Sequence, residues 1–406
     1  MILWLHDQSL SCRPPRMTVL TVLAVVFMTA PFAALRLQAQ TFKTLYSFTG
    51  QKDGGVPYAG LIADETGNLY GTTSTAGAHG SGTVFKLKKN GKIVVLHSFT
   101  GGNDGGTPYA ALVADSAGNF YGTTLSGGRY GDGTVFKIDI QGKETVLHSF
   151  SQAPGSGESL VAGLLRDESG NLFGTAQTGG NFAVCPPLGC GTVFRLDATN
   201  KEHSISFNGT DGATPYAGLI EDAEGNLYGT TTDREGSGQG TVFKIDKTFK
   251  MTVLYRFSGT TDGAYPDASL VRDSAGNLYG TTYLGGASGW GTIFKVDKTG
   301  HETILYSFTN NPDGAFPDSA LVFDHQGNLY GTTVSGGVHG GGTIFELSKT
   351  GTLTVLHSFD FSDGAQPYCT LLRDKAGNLY GTTASFGGGG GNCEGYGCGT
   401  VFKLTP

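Results

Sequence analysis

Charged residues are scarce in this chain, and the motifs that mark common enzymes are missing. Only 15% of the 406 residues are charged, with 27 Lys and Arg against 34 Asp and Glu. No basic face is visible, which argues against a nucleic-acid partner because phosphate binding needs one. No Gly-x-Ser-x-Gly, HExxH, phosphate-loop or nucleotide fingerprint occurs, so familiar hydrolase and nucleotide chemistry is disfavoured and no cofactor or metal is predicted.

Apolar residues at helical spacing are also missing. No stretch after residue 40 keeps that spacing for three turns, so we expect almost no helix there. Glycine is instead abundant, and its 67 residues recur at fixed places beside aromatic and β-branched residues. This distribution is typical of a turn-rich all-β protein.

The first 39 residues differ in kind from the rest. Arg13 and Arg16 precede an uncharged run from Thr18 to Leu35, and small residues before Gln40 offer a cleavage point. This pattern predicts a secretory signal peptide over residues 1–39 and a secreted protein, extracellular or periplasmic. The alternative is a membrane anchor, but the run is short and contains a proline. We therefore expect no membrane span in the mature chain.

The cysteines fit export. Cys185 and Cys190 lie in one segment, and Cys393 and Cys398 lie at the same spacing in another. Neither pair adjoins a clustered His or a second Cys pair, so two local disulfides are favoured over zinc half-sites. Cys369 is expected to be a small buried apolar residue.

One heptapeptide organises the chain after residue 40. The segment Gly67 to Thr73, Gly-Asn-Leu-Tyr-Gly-Thr-Thr, returns six more times with a period of about 51 residues. Such a period indicates a propeller, a solenoid or another array. The other copies begin at Gly118, Gly170, Gly225, Gly276, Gly327 and Gly377.

Each unit predicts a four-stranded antiparallel meander. In the first unit we expect strand A from Pro57 to Asp64, strand B from Leu69 to Thr73, strand C from Gly82 to Leu87 and strand D from Val94 to Phe99. Strand C alternates in the period of two that a sheet requires. One such sheet cannot bury both faces alone, so it needs neighbours.

The two ends of the array predict how it closes. Residues 42–48 read as a lone strand D, and the last unit has strands A, B and C but no strand D. The N-terminal strand should therefore complete the last blade. The sequence predicts one domain over residues 40–406, a closed seven-bladed β-propeller. An open β-solenoid is the alternative, but it would leave residues 42–48 unpaired and an edge exposed.

The recurring segments resemble a known repeat family. The Asp-Gly pairs, Pro-x-Ala, Gly-Asn-Leu-Tyr-Gly-Thr-Thr and Gly-Thr-Val-Phe-Lys-Leu are similar to the Gloeo/Verruco tandem repeat of exported bacterial "choice-of-anchor" proteins over residues 42–405. The resemblance implies export and a propeller-like fold, and no established activity. Residues 57–70 also resemble the NHL-type propeller pattern, which supports only the strand assignment.

One face of the predicted propeller carries the most variable loops. The B-to-C and D-to-A loops should emerge together there, and binding residues are most often carried on such loops. Arg129, Tyr130, Trp290 and His339 are the candidates on these loops.

A second set of candidates follows the strand-A proline and should face the central channel near its mouth. Aromatic rings beside carboxylates suit carbohydrate or cation binding, and a close pair of carboxylates could act as acid and base. The alternative is that both acids are solvated channel residues. In chain order the seven positions are Tyr58, Tyr109, Val161, Tyr216, Asp267, Asp318 and Tyr368.

Asp-Gly pairs precede strand A in six units. A ring of carboxylates could hold calcium, but Asp followed by Gly is also ordinary turn chemistry, which is the favoured interpretation. The third unit has Ser156-Gly157 instead. The six aspartates are Asp53, Asp104, Asp211, Asp262, Asp313 and Asp363.

Three functions remain open from the sequence. The leading hypothesis is a secreted binding module for a polysaccharide, a cell-envelope component or a protein partner. The second is an extracellular lyase or hydrolase with Asp267 and Asp318 at the channel mouth. The third is a purely structural surface protein. Fold alone does not decide between them.

Overall fold

The computed structural model describes residues 40–153, 155–233, 238–387, 393 and 395–406, and these residues form no helix. Their strands build seven four-stranded antiparallel sheets and one additional two-stranded pair. The protein is therefore a seven-bladed β-propeller, as predicted. The predicted signal peptide lies outside the described residues, and no described helix is long and apolar enough to cross a membrane.

Each blade runs from an inner strand A to an outer strand D. The strands A are Ile62–Ala63, Val113–Ala114, Leu165–Arg166, Ile220–Glu221, Val271–Arg272, Val322–Phe323 and Leu372–Arg373. The strands B are Leu69–Thr73, Phe120–Thr124, Leu172–Ala176, Leu227–Thr231, Leu278–Thr282, Leu329–Thr333 and Leu379–Thr383. The strands C are Thr83–Leu87, Thr134–Ile138, Thr192–Leu196, Thr241–Ile245, Thr292–Val296, Thr343–Leu347 and Thr400–Thr405. The strands D are Ile93–Ser98, Glu144–Ser149, Glu202–Ser206, Met251–Arg256, Glu302–Ser307, Leu353–Ser358 and, for the last blade, Thr41–Ser47. The additional pair is Gly157–Glu158 with Thr178–Gly179.

Strand A is much shorter than the sequence suggests. In the first blade only Ile62 and Ala63, near the end of the predicted strand, pair with strand B. The segment before strand A is bonded instead to strand B of the preceding blade. The hydroxyl of Thr72 in the first blade, for example, donates to the carbonyl of Ala110 in this segment of the second blade at 3.1 Å. The segment also begins with Pro57, which has no N–H to donate. It therefore lines the channel as extended chain rather than as a ladder.

The ring closes as predicted. Thr41–Ser47 pairs antiparallel with Thr400–Thr405, with Phe42 opposite Leu404. The hydroxyl of Thr382 in the last blade donates to the carbonyl of Ala59 in the first at 2.8 Å, which repeats across the closure the bond that joins the other blades. The N-terminal strand thus removes the edge that the last blade would otherwise expose.

The core lies between the blades rather than within them. One cluster joins Val84 and Phe99 of the first blade to Leu112 and Phe136 of the second, and Val84, Phe99 and Phe136 are fully buried. Both faces of each sheet are covered by its neighbours, which is what a radial arrangement of small sheets provides. Each blade is stabilised by the blades beside it.

The repeated heptapeptide makes the turn between strands A and B. The carboxylate of Asp64 accepts the N–H of Thr66 and Asn68 at 3.0 and 2.9 Å and the hydroxyl of Tyr70 at 2.9 Å. Burial opposes ionisation of Asp64, but the hydrogen bonds from Asn68, Thr66 and Tyr70 outweigh it and lower the pKa of the carboxyl. Gly67 supplies the positive φ of 82° that this turn needs.

The second half of the heptapeptide packs against strand C. A Cβ on Gly71 would lie 2.8 Å from Cζ of Phe85 and 2.9 Å from Cδ2 of Leu61, so only glycine leaves room for that buried ring. The hydroxyl of Thr73 lies 2.8 Å from the hydroxyl of Thr83 and bonds strand B to strand C. Contacts within the blade therefore account for the residues of the repeated heptapeptide.

Both predicted disulfides are present. Cys185 is bonded to Cys190 and Cys393 to Cys398, with Cα atoms 5.2 and 5.3 Å apart. Cys369 is buried, as predicted, and burial raises the pKa of its thiol to about 11. It occupies an inner position of the last blade and is inert as a nucleophile at neutral pH.

Candidate functional site

The residue before the strand-A proline, or before Leu160 in the third blade, has a positive φ in every blade, although it is never glycine. Its φ is 58° at Phe316, for example. The N–H of Phe316 donates to the carbonyl of Trp290 in the preceding blade at 3.0 Å, and its own carbonyl accepts the N–H of Val334 at 3.1 Å. These bonds hold a conformation that costs free energy in a non-glycine residue. They also fix the direction of the side chains that follow. The seven residues are Val56, Thr107, Ser159, Thr214, Tyr265, Phe316 and Gln366.

The residues after the proline surround one cavity of about 540 Å³. Leu125 and Gln177 from the ends of two strands B also line it. Small residues such as Ala59 and Gly60 form its deeper wall, where a Cβ on Gly60 would lie 2.7 Å from the carbonyl oxygen of Thr370. The positions expected at the channel mouth are all in this lining, namely Tyr58, Tyr109, Val161, Tyr216, Asp267, Asp318 and Tyr368.

Three consecutive blades give the cavity a tyrosine side, formed by Tyr58, Tyr109 and Tyr368. The ring of Tyr58 lies 4.9 Å from that of Tyr109 and 5.2 Å from that of Tyr368, measured between centroids. Burial and the neighbouring phenol of Tyr109 raise the pKa of Tyr58. Burial raises the pKa of Tyr368, with a smaller contribution from the carboxylate of Asp318. The phenols of Tyr58 and Tyr368 are therefore neutral and can donate hydrogen bonds at physiological pH.

The fifth and sixth blades give the cavity an acidic side, formed by Asp267 and Asp318. Asp267 is only 5% exposed, and Asp318 is half-buried. Asp318 of the sixth blade is next to Tyr368 of the seventh blade in the ring, so the acidic side borders the tyrosine side in the lining of the cavity. The cavity thus combines aromatic faces, phenol donors and carboxylate acceptors.

The sequence of the repeat matches a known family. The model of the Gloeobacter/Verrucomicrobia repeat matches residues 32–238, 118–275 and 221–406, in three overlapping segments that cover nearly all of the chain. The chain belongs to this family. No curated protein matches it at a significant level.

Solved structures similar to this family member are propellers of low sequence identity. The extracellular domain of a one-component system from B. thetaiotaomicron is 12% identical, with a TM-score of 0.57 over 89% of this chain and 39% of that chain. This chain therefore spans well under half the length of that protein. A gluconolactonase from Xanthomonas campestris is 16% identical, with a TM-score of 0.44 over 80% of this chain and 93% of that one. At 12% identity the likeness to the extracellular domain shows the fold alone.

Comparison of the Gloeobacter/Verrucomicrobia repeats reveals a pattern that the sequence interpretation missed. Four units read Val-Pro-Tyr, Thr-Pro-Tyr, Thr-Pro-Tyr and Gln-Pro-Tyr, with tyrosine after the proline. The two units with aspartate there read Tyr-Pro-Asp and Phe-Pro-Asp, so Tyr265 and Phe316 place the aromatic ring before the proline. Examination of both sides of the proline together would have found this exchange. The third unit reads Ser-Leu-Val and has no aromatic residue on either side of this position.

Phe316 belongs to an aromatic shelf, which we define as Tyr283, Trp290 and Phe316. The rings of Tyr283 and Phe316 stack with centroids 4.9 Å apart and planes at 16°. The indole of Trp290 lies 5.2 Å from Phe316 at 62°. All three side chains are half-buried. None of the three lines the cavity itself, but only Pro317 separates Phe316 from the lining residue Asp318, so the shelf adjoins the acidic side.

Three other predicted binding residues lie apart from the cavity. The guanidinium of Arg129 lies 5.4 Å from the ring centroid of Tyr130, and both side chains are exposed. His339 is exposed, and its backbone N–H donates to the hydroxyl of Ser358 at 3.3 Å. Trp290 packs against Phe316, and the lining of the cavity includes none of Trp290, Arg129, Tyr130 and His339. Their role in binding stays a prediction.

The Asp-Gly pairs serve the blades. Asp262 accepts the hydroxyl of Tyr255 at 3.0 Å and the N–H of Ser258 at 2.7 Å, and His357 bonds to Asp363 at 2.7 Å in the same way. The Tyr or His of strand D therefore has a defined partner, which the sequence interpretation had missed. Among the described residues no group of three or more His, Cys, Asp or Glu side chains could hold a metal ion.

The third unit lacks this Asp-Gly pair, and a second pocket of about 460 Å³ lies beside it. Ser156 stands where other units have aspartate, and His148 bonds to Glu202 of the next blade at 3.0 Å. The pocket is lined by these residues and by small polar side chains such as Ser204, whose hydroxyl donates to the carbonyl of Gly155 at 2.6 Å. Glu202 thus replaces the missing aspartate as the partner of the imidazole.

Proposed function

We propose that this protein is an exported binding module that holds a glycan at the mouth of its central channel. The observation that carries the proposal is the cavity of about 540 Å³, whose lining combines a tyrosine side with an acidic side. Aromatic rings offer flat apolar faces to the C–H face of a pyranose, and precisely placed polar groups orient a ligand in such a site. The carboxylates accept hydroxyl hydrogens of the sugar, and the neutral phenols donate to its oxygens.

Export is part of the same proposal. The two disulfides favour an oxidising compartment, because such bonds are rare where thiols are kept reduced. The signal-peptide pattern of residues 1–39 points the same way. A polysaccharide or another cell-envelope component is the class of ligand that a secreted module of this kind meets.

The test is direct binding of glycans to the exported chain, residues 40–406. Isothermal titration calorimetry is run with plant, bacterial and chitinous polysaccharides and with their oligosaccharides. The Asp267→Asn and Asp318→Asn variants keep the shape of the side chains and remove the charge. We expect each to weaken binding roughly 10-fold or more, because hydrogen bonds to charged groups are worth about 1.5–3 kcal/mol.

The control is Glu65→Gln, which removes an exposed carboxylate on the opposite face and should leave affinity unchanged. The absence of binding to any glycan would contradict the proposal. Detected turnover of a bound sugar that stops in the Asp267→Asn, Asp318→Asn double variant would favour the lyase or hydrolase alternative. Phenotypes that no cavity substitution alters would favour a purely structural role.

A further inference from the structure

We infer that the ligand is a chain of linked sugars whose first rings occupy the cavity and whose next rings lie on the aromatic shelf of Tyr283, Trp290 and Phe316. This inference rests on the proposed function and names the class of glycan that the site takes. It depends on three observations, which are the build of the shelf, its absence from the other blades and its continuity with the cavity.

The shelf is rigidly built. Phe316 is held by backbone bonds on both sides, to Trp290 in the preceding blade and to Val334 in its own. Its ring stacks on Tyr283, which follows strand B of the fifth blade. Aromatic side chains with few rotatable bonds present contact area at a low entropic cost. The shelf is therefore preorganised to receive a flat ligand.

The fold does not require aromatic residues at these three positions. Apart from Tyr265 at the position of Phe316, the other units carry small, polar or aliphatic residues there and form the same blade. The blade-core phenylalanines are fully buried, whereas the shelf side chains are only half-buried. At the position of Phe316 the other units have Val56, Thr107, Ser159, Thr214, Tyr265 and Gln366. At that of Tyr283 they have Ser74, Leu125, Gln177, Thr232, Val334 and Ala384, and at that of Trp290 they have Ser81, Asp132, Cys190, Gln239, Gly341 and Cys398.

The shelf continues the acidic side outwards. Phe316 is two residues from Asp318 along the chain, with only Pro317 between them. The ring centroids of Tyr283 and Trp290 lie 4.9 and 5.2 Å from that of Phe316, so the shelf meets the acidic side through Phe316. A sugar whose hydroxyls bond to Asp318 would therefore direct its linked neighbour over the stacked rings. A monosaccharide would leave the shelf bare.

The experiment measures affinity against chain length. Chito-, cello- and xylo-oligosaccharides, from the monosaccharide to the hexasaccharide, are titrated into the exported chain and its variants. Trp290→Ser and Phe316→Thr copy residues that the repeat itself carries, Ser81 and Thr107, so the blades should still fold. We expect each variant to bind the hexasaccharide about tenfold more weakly and the shortest binding sugar unchanged.

Val338→Ala is the matched control, because Val338 is an exposed apolar residue of another loop on the same face. Thermal unfolding of every variant checks that the fold is intact. Affinity that does not rise with length in the unsubstituted chain, or shelf variants that weaken all lengths equally, would overturn the inference while the proposed function stands. If no oligosaccharide or polysaccharide binds, the proposed function fails and the inference fails with it.

Discussion

The tyrosine side and the acidic side of the cavity share one backbone and differ in where the aromatic ring goes. In the first, second and seventh blades the ring follows the proline and enters the channel. In the fifth and sixth blades the ring precedes the proline, and a carboxylate enters the channel instead. The same left-handed residue and the same hydrogen bonds support both arrangements. The scaffold therefore tolerates the exchange, and under the proposed function the difference serves the ligand rather than the fold.

The largest effect on stability is expected when the ring is opened on its tyrosine side. Removal of Thr41–Ser47 strips strand D from the last blade and leaves Thr400–Thr405 as an edge. It also uncovers apolar residues such as Leu404, which packs against Phe42. We expect the cooperative unfolding transition in thermal melts and the native near-ultraviolet dichroism to be lost. A truncated chain that melts at the same temperature as the intact one would contradict the closure.

A double exchange between the two sides should weaken binding strongly and preserve the fold. Phe316→Thr with Asp318→Tyr gives the sixth blade the Thr-Pro-Tyr triplet of the second. We expect glycan affinity to fall roughly 100-fold, because about 2.7 kcal/mol of contacts is lost, while the melting temperature changes little. The reverse exchange, Thr107→Phe with Tyr109→Asp, is the matched variant for the tyrosine side. A large loss of stability in either variant would show that the triplet serves the blade.

The sequence predicted the parts of this design that repeat. The heptapeptide period, the unpaired first strand and the incomplete last unit were enough for the blade number and the closure, and the proline position was enough for the ring at the mouth. The short strand A was not predicted, because pairing depends on where Thr72 of one blade meets Ala110 of the next. The stacking of Tyr283 on Phe316 was missed for a related reason. The two lie on different blades, and only the register of the assembled ring brings them together.

The interior beneath the two sides is the same, so the same substitution should cost each side equally. A Cβ on Gly71 would lie 2.8 Å from Phe85, and a Cβ on Gly280 would lie 2.7 Å from Phe294. We expect Gly71→Ala and Gly280→Ala each to lower the free energy of unfolding by about 1–3 kcal/mol through overpacking. Urea denaturation measures both, and Gly351→Ala, where the added Cβ meets nothing within 4 Å, tests the cost of positive φ alone. Clearly unequal losses would show that the two sides differ below their surface.

The smallest expected effect is a change in the pH dependence of stability. It comes from one half-buried acid in strand D of a blade on each side, Glu144 in the second blade and Glu302 in the fifth. Burial and the nearby Asp104 raise the pKa of Glu144 from 4.5 to about 7, and burial and Asp262 do the same for Glu302. Each folded carboxyl holds its proton more tightly than the unfolded one. Its contribution to stability is therefore complete below pH 4.5 and declines as the pH rises through about 7.

Glu144→Gln and Glu302→Gln remove that ionisation, so each should raise the melting temperature at about pH 8 and leave it nearly unchanged at about pH 5. Melting curves at the two pH values measure the difference, and the exposed Glu65→Gln should show none. The two gains should be similar, because the same arrangement of a strand-D acid beside a neighbouring aspartate occurs under both sides. A lower melting temperature of the variants at about pH 8 would mean that these acids are held as charged partners rather than as half-buried neutral groups. A gain confined to one variant would show that the two sides differ.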